Sequence, residues 1–238
     1  MPTRLPSLRL PPIAFAHRGA RAHAPENTLE AFELARRLGA PGLESDVWLT
    51  ADGAAVLDHD GVVGGRLRRR RIREVERSAL PSSVPTMGEL YETCGREFEL
   101  SLDLKDPAAM LAVVDAALLA GPPAFERLWI CHWDLDVLSG WRDRWPLLQL
   151  VHSTWLGRLP DGAERHGAEL AERGIDAVNL HHTEWTGGFI AMYHRFERLA
   201  FAWDVQFDRI MVELLDAGID GLYSDHTDTL VAALDRLG

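Results

Sequence analysis

Two histidines, His17 within Ala16-His17-Arg18-Gly19 and His59 within Asp58-His59-Asp60, bracket an acidic pair, Glu44 and Asp46, in the first quarter of the chain. Two imidazoles that titrate near neutrality can take one proton and give another. Two carboxylates can hold a hard metal ion. Together these are the parts needed to break a phosphodiester without a protein nucleophile. Glu44 and Asp46 lie two positions apart, and in a strand that spacing turns both side chains to one face. Inside a barrel such a pair is costly unless compensated, and a divalent cation removes the conflict. All-oxygen ligation favours Mg2+ or Ca2+ over zinc. The alternative is a salt bridge from the pair to a buried arginine such as Arg18, which could instead grip a phosphate with its planar fork.

Asp103 and Lys105, in Leu102-Asp103-Leu104-Lys105, repeat the two-residue spacing further along, either as site residues or as exposed charges at a strand end. Lys105 is the only lysine among 25 basic residues. In a chain that otherwise uses arginine, a single lysine at a strand end points to a site wanting a compact ammonium, against codon bias as the plain alternative.

These side chains need elements to position them. Short β-branched or aromatic runs alternate with amphipathic stretches, a pattern of repeated βα units. The expected strands cover 13–18, 43–49, 98–104, 128–133, 147–152, 177–181, 199–204 and 221–224. The expected helices cover 28–38, 86–94, 108–120, 135–144, 162–173, 187–196, 207–217 and 227–236. Eight such units in this length mean a TIM (β/α)8 barrel spanning 1–238, with a short Arg-rich insertion after strand 2, at 61–84. His17 and His59 then fall where strands 1 and 2 end, on the face where barrel active sites form. Pro25-Glu26-Asn27-Thr28 reads as a helix start, with Asn27 or Thr28 as cap and Glu30 completing a capping box; Glu26 could orient Arg18 or His17. His23, His152, His166, His181, His182, His194 and His226 read as structural, and His132 stays open beside Trp133.

A chain of 238 residues can bury a large core. Its net charge of -11 argues against a nucleic-acid partner. Cys94 and Cys131 lack metal-type spacing and read as free thiols of a reducing compartment. No run is long enough to span a bilayer, so the expected setting is cytoplasmic. Arg66, Arg68, Arg69, Arg70, Arg71, Arg73 and Arg77 make the insertion a solvated or salt-bridged lid, or a collar that steers anionic substrates.

The order of Ala16-His17-Arg18-Gly19, Pro25-Glu26-Asn27-Thr28, Glu44-Ser45-Asp46, Asp52-Gly53 and His59-Asp60 resembles the signature of the glycerophosphodiester phosphodiesterases. The resemblance is densest over 13–105 and thins afterwards to Trp203, Gly218-Ile219-Asp220-Gly221 and Ser224-Asp225. It implies a metal-dependent hydrolase that converts a small glycerophosphodiester to glycerol 3-phosphate and an alcohol. His17 and His59 would be the acid–base pair, and Glu44, Asp46 and Asp103 would hold Mg2+ or Ca2+. Arg18 and Lys105 would contact the phosphate, and Trp133 and Trp203 would shape the substrate pocket, unless they are barrel-core residues. The family usually carries Glu at the position of Asp103, so the shorter side chain draws the metal towards its strand or interposes a water. Two other functions fit the same residues. A lysophospholipase D acting on larger lipid diesters would need an apolar groove at the mouth. A non-catalytic binder of anionic phosphorylated ligands, acting through the Arg-rich insertion, would need a lost catalytic residue, and none of the expected ones is missing except for the Glu-to-Asp change at Asp103.

Overall fold

The computed structural model describes residues 5–65 and 69–237. In chain order the elements are β1 (Ile13–Ala16), α1 (Leu29–Arg37), β2 (Gly42–Leu49), β3 (Ala55–Leu57), β4 (Val62–Val63), β5 (Arg70–Arg71), α2 (Met87–Cys94), β6 (Glu99–Leu104), α3 (Met110–Ala120) and α4 (Pro122–Glu126). There follow β7 (Leu128–His132), α5 (Leu135–Arg144), β8 (Gln149–Ser153), α6 (Gly162–Glu172), β9 (Ala177–His181), α7 (Gly187–Arg195), β10 (Leu199–Trp203), α8 (Asp208–Asp216), β11 (Gly221–Ser224) and α9 (Thr227–Asp235). β1, β2 and β6 to β11 pair parallel in sequence order, and β1 pairs with both β2 and β11, which closes an eight-stranded barrel. No described helix is long and apolar enough to cross a membrane.

Alternation along each strand builds two cores. On β6, Leu100, Leu102 and Leu104 point outwards and are buried among α2 and α3 residues such as Leu90 and Val113. Ser101 and Asp103 take the inward positions, paired in register with Glu44 and Asp46 of β2. The barrel floor is aromatic: Phe15 stacks on Tyr223 with ring centroids 4.6 Å apart, and Phe201 meets Phe15 and Trp129 edge-on at 5.7 and 5.2 Å. Above it, the Ser101 hydroxyl lies 3.0 Å from the Tyr223 hydroxyl and 3.3 Å from Cys131 Sγ. The barrel interior therefore grades from an aromatic floor through a layer of hydroxyls to a charged mouth.

A buried carboxylate holds the bottom together. Asp220 Oδ1 accepts from the amides of Leu8 and Arg9 at 2.7 and 2.9 Å. Its Oδ2 accepts from the amide of Ala200 at 2.8 Å and lies 2.7 Å from His194 Nε2. Arg9 also pairs with Glu99 at 2.6 Å, and Glu99 accepts from the Trp129 indole.

The insertion forms an antiparallel β4–β5 ribbon and two single-turn 3-10 helices, anchored by Ile72, Val75, Leu80 and Val84 packed on Val56. Arg69, Arg70, Arg71 and Arg73 are exposed, and Arg77 pairs with Glu89 at 3.1 Å. Arg66 and Arg68 lie outside the described residues. Two local expectations change. Thr28 alone caps α1, accepting from the Ala31 amide, while Asn27 turns inwards at φ 56° to accept from the Ser45 hydroxyl at 2.7 Å. The capping box sits on α2 instead, between Thr86 and Glu89. The short helix α4 fills what the sequence left as a connection.

Two glycines make room for the aromatic floor. A Cβ on Gly42 would lie 2.8 Å from the Phe15 ring, and one on Gly221 would lie 2.7 Å from the Phe201 ring. Both neighbours are fully buried and boxed in by other rings. Gly221→Ala should therefore cost about 1–3 kcal/mol through overpacking. The measurement is a denaturant titration, with a lower midpoint at unchanged slope; an unchanged midpoint would mean that the floor can relax.

Candidate active site

Beyond β1 the chain turns through two left-handed residues, Arg18 at φ 51° and Gly19 at φ 79°. Only glycine fits the second, because a Cβ there would lie 2.7 Å from the Ala31 carbonyl carbon. This turn aims the Arg18 amide at Glu44 Oε2, 3.0 Å away. It also sets the guanidinium between Asp46 and Glu26, with Nε 3.3 Å from Asp46 Oδ2 and Nη1 3.1 Å from Glu26 Oε1. Glu26 thus orients Arg18 rather than His17. Lys105 Nζ reaches Asp46 Oδ1 at 3.0 Å and Asp103 Oδ2 at 2.5 Å. Its burial disfavours the charge, but the two carboxylates dominate and raise its pKa above the usual lysine range.

His17 is held from behind. Its Nδ1 lies 2.6 Å from Asp225 Oδ1, just beyond β11, so an Nδ1–H donates there and Nε2 faces Glu44 Oε2 at 3.7 Å. Burial opposes a charge on His17, yet Glu44 and the Asp225 bond outweigh it and raise its pKa. Burial pushes the Glu44 carboxyl up, against the pull of His17. Burial also works to raise Asp225, but its bond to His17 holds it below the usual carboxylate range. The buried Cys131 thiol is pushed up to about 12, which leaves it protonated and a poor nucleophile.

A cavity of about 290 Å³ opens among these groups, lined by His17, Arg18, Glu44, Asp46, Asp103, Lys105 and Trp203. Two expected members are elsewhere. Trp133 is 66% exposed and lines a neighbouring cavity, because it falls just past the end of β7, where its ring stacks on His132. His59 follows β3 alongside β2, with the Asp58 amide on the Asp46 carbonyl; its side chain is 38% exposed and meets Asp60 at 2.9 Å. Sequence reading had missed Asp225, Asn179, Trp155 and Arg158. Asp225 lies in Ser224-Asp225 at the far end of the chain, and nothing local ties it to His17. Asn179 is buried, lines the cavity and has a side-chain oxygen without a hydrogen-bond partner. His181, read as structural, stacks on Trp155 and meets Trp203 edge-on, so it buttresses the cavity wall.

A divalent cation is what the sequence pattern implies, and the donors suit one. Glu44, Asp46 and Asp103 offer carboxylate oxygens, the donor type a hard cation takes, on adjacent strands, and Asp46 Oδ2 is buried without a hydrogen bond. Arg18 and Lys105 are their neighbours, and the oxygens of the three carboxylates do not all lie within 4.8 Å of one another. Among the described residues, the groups whose ligand atoms all lie within 4.8 Å are His23, His226 and Asp228, and His181, His182 and Asp204.

The neighbouring cavity, about 460 Å³, shares Thr154 and Arg158 with the first. A hydrogen-bonded chain forms its back. His152 Nε2 donates to the Trp133 carbonyl at 2.9 Å, which leaves His152 Nδ1 to accept from His166 Nε2 at 2.8 Å. His166 Nδ1 then accepts from the Tyr193 hydroxyl at 2.9 Å. Every nitrogen is committed in the neutral form. Burial lowers the pKa of both rings, and that of His166 falls to about 3. The unfolded chain therefore binds more protons below pH ~6.5, so this stability is present above that pH and lost as pH falls towards the folded value. Between pH 6.5 and 4.5, denaturant midpoints of the wild type should fall more steeply than those of His166→Leu. Parallel slopes would show that the pair accepts protons in the fold.

Comparison with known proteins places the chain among relatives by sequence and by fold. The sequence model of the Glycerophosphoryl diester phosphodiesterase family matches residues 17–229. The Mycobacterium tuberculosis protein named Probable glycerophosphodiester phosphodiesterase 2 is 30% identical, over 92% of this chain and 89% of its own. A Glycerophosphodiester phosphodiesterase of Caldanaerobacter subterraneus is 25% identical over 95% and 99% of the two chains. In fold, the chain is similar to the glycerophosphodiester phosphodiesterase of Thermotoga maritima, with a TM-score of 0.80, 23% identity and coverage of 92% and 97%. It is also similar to an Oleispira antarctica phosphodiesterase in complex with the product sn-glycerol-3-phosphate, with a TM-score of 0.82, 21% identity and coverage of 94% and 97%. The family model and the relatives together mean that the chain belongs to the glycerophosphoryl diester phosphodiesterase family, as one of its enzymes.

Proposed function

We propose that this enzyme hydrolyses small glycerophosphodiesters to glycerol 3-phosphate and an alcohol, by acid–base catalysis from His17 and His59. The observation that carries the reading is His17 itself: Asp225 holds its Nδ1 at 2.6 Å, and its Nε2 is turned towards the acidic mouth. The product bound by the Oleispira antarctica phosphodiesterase supports the substrate class. A lysophospholipase D would need an apolar groove, whereas this cavity is walled mainly by charged and polar side chains.

The chemistry divides into two displacements. In the first, a hydroxyl of the glycerol moiety attacks phosphorus, one imidazole takes its proton and the other protonates the departing alcohol oxygen. In the second, water opens the cyclic phosphate with the roles reversed. Arg18 and Lys105 offset charge on the phosphoryl oxygens. Glu44, Asp46 and Asp103 would hold the divalent cation, Mg2+ or Ca2+, which supplies positive charge at a phosphoryl oxygen and makes the attacking hydroxyl more acidic. His59, which meets Asp60 outside the cavity lining, would have to turn towards the mouth to complete the pair.

Glu44→Ala and Asp46→Ala should each abolish turnover and metal retention, read by activity with and without EDTA and by metal content. Full activity of either variant after EDTA would remove the cation from the mechanism. His17→Ala and His59→Ala should each lose roughly 10²–10⁴-fold in rate on glycerophosphocholine. A nitrophenyl ester, whose leaving group needs no proton, should rescue the variant lacking the acid and leave the other impaired. A His59→Ala enzyme with wild-type rate on both substrates would reduce the mechanism to His17 alone.

A further inference from the structure

A 460 Å³ cavity adjoins the reaction cavity at Thr154 and Arg158. Its charges are unequally spent. Asp134 accepts from two amides at the start of α5, and Glu169 pairs with Arg173 at 2.8 Å. His152 and His166 are locked neutral in their hydrogen-bonded chain. Among the described residues, the guanidinium groups of the exposed Arg158 and Arg165 have neither an ion pair nor a hydrogen bond, and the carboxylate of Asp161, exposed at the rim, likewise has no partner. The exposed Trp133 ring offers an apolar wall beside them.

Resting on the hydrolytic reading of the first cavity, we propose that the second cavity binds the leaving alcohol, and that this alcohol carries a phosphate of its own. Two unspent guanidinium groups suit a second phosphate, which accepts bidentate hydrogen bonds. They disfavour a cationic alcohol such as choline. Arg158, common to both linings, lies between the scissile phosphorus and the terminal phosphate. Arg165, on α6, belongs to the second cavity alone and sets the preference. Cleavage breaks the bond from phosphorus to the alcohol oxygen, water supplies the hydroxyl to phosphorus and a proton to that oxygen, and both products leave as phosphate monoesters.

The test compares glycerophosphoglycerol with the same diester bearing a terminal phosphate on its alcohol glycerol. Wild-type kcat/KM should be about tenfold higher for the phosphorylated substrate, with the gain in KM and reduced by added salt. Arg165→Glu should erase that gain, lowering kcat/KM about tenfold more on the phosphorylated diester than on glycerophosphoglycerol, while Arg165→Lys retains part of it. Equal kcat/KM for the two substrates in the wild type overturns the inference while leaving the hydrolytic reading intact. So does an equal loss on both in Arg165→Glu. Failure of the wild type to cleave either diester removes the hydrolytic reading and the inference with it.

Discussion

Two carboxylates inside a barrel are the constraint on which the mouth of this molecule depends. Glu44 and Asp46 are 7% and 3% exposed, and an ionised group so placed is tolerable only when charge and hydrogen bonds reach it from every side. The compensation comes from different strands: Arg18 after β1, Lys105 after β6 and His17, itself fixed by Asp225 after β11. The left-handed turn at Arg18 and Gly19 exists to bring an amide and a guanidinium to these oxygens at once. A long flexible ammonium suits Asp46 and Asp103 where a planar fork would have to choose a single plane. The lone lysine of the sequence is accounted for by this geometry.

Much of that was readable from residue spacing. Glu44 and Asp46, two apart on a strand, share a face in any sheet, and the matching Asp103 and Lys105 mark the neighbouring strand. The eight βα units followed from periodicity, and their ends fell within a few residues of those found, as with 147–152 against Gln149–Ser153. What escaped depends on distance along the chain or on one torsion. The His17–Asp225 bond joins residues 208 apart, and only closure of the barrel makes them neighbours. Trp133 stands one residue past β7, so a single change of backbone direction sends its ring to the second cavity. Asn27, an able helix cap, turns inwards because the Ser45 hydroxyl competes for it.

The interior also shows how stability and chemistry share a small volume. Tyr223 belongs to both: its ring stacks on Phe15 in the floor, and its hydroxyl meets Ser101 under the charged layer. The hydroxyls of Ser101 and Tyr223 and the Cys131 thiol form a polar layer between floor and mouth, with Ser101 bonded to both of the others. That layer lets the rigid floor set the height of the reacting groups.

Asp220 carries a consequence for how the chain reaches this state. Its four donors come from residues 8, 9, 194 and 200, so a barrel lacking either its first or its last strands leaves a buried carboxylate starved of partners. A half-formed barrel gains little of the final stability, and the contacts that reward completion have the longest sequence separations in the molecule. Such a topology favours slow, all-or-none closure over stepwise accretion of βα units. The acidic knot at the bottom thereby acts as a checkpoint: His17 meets Asp225 only in chains whose two ends have already found each other.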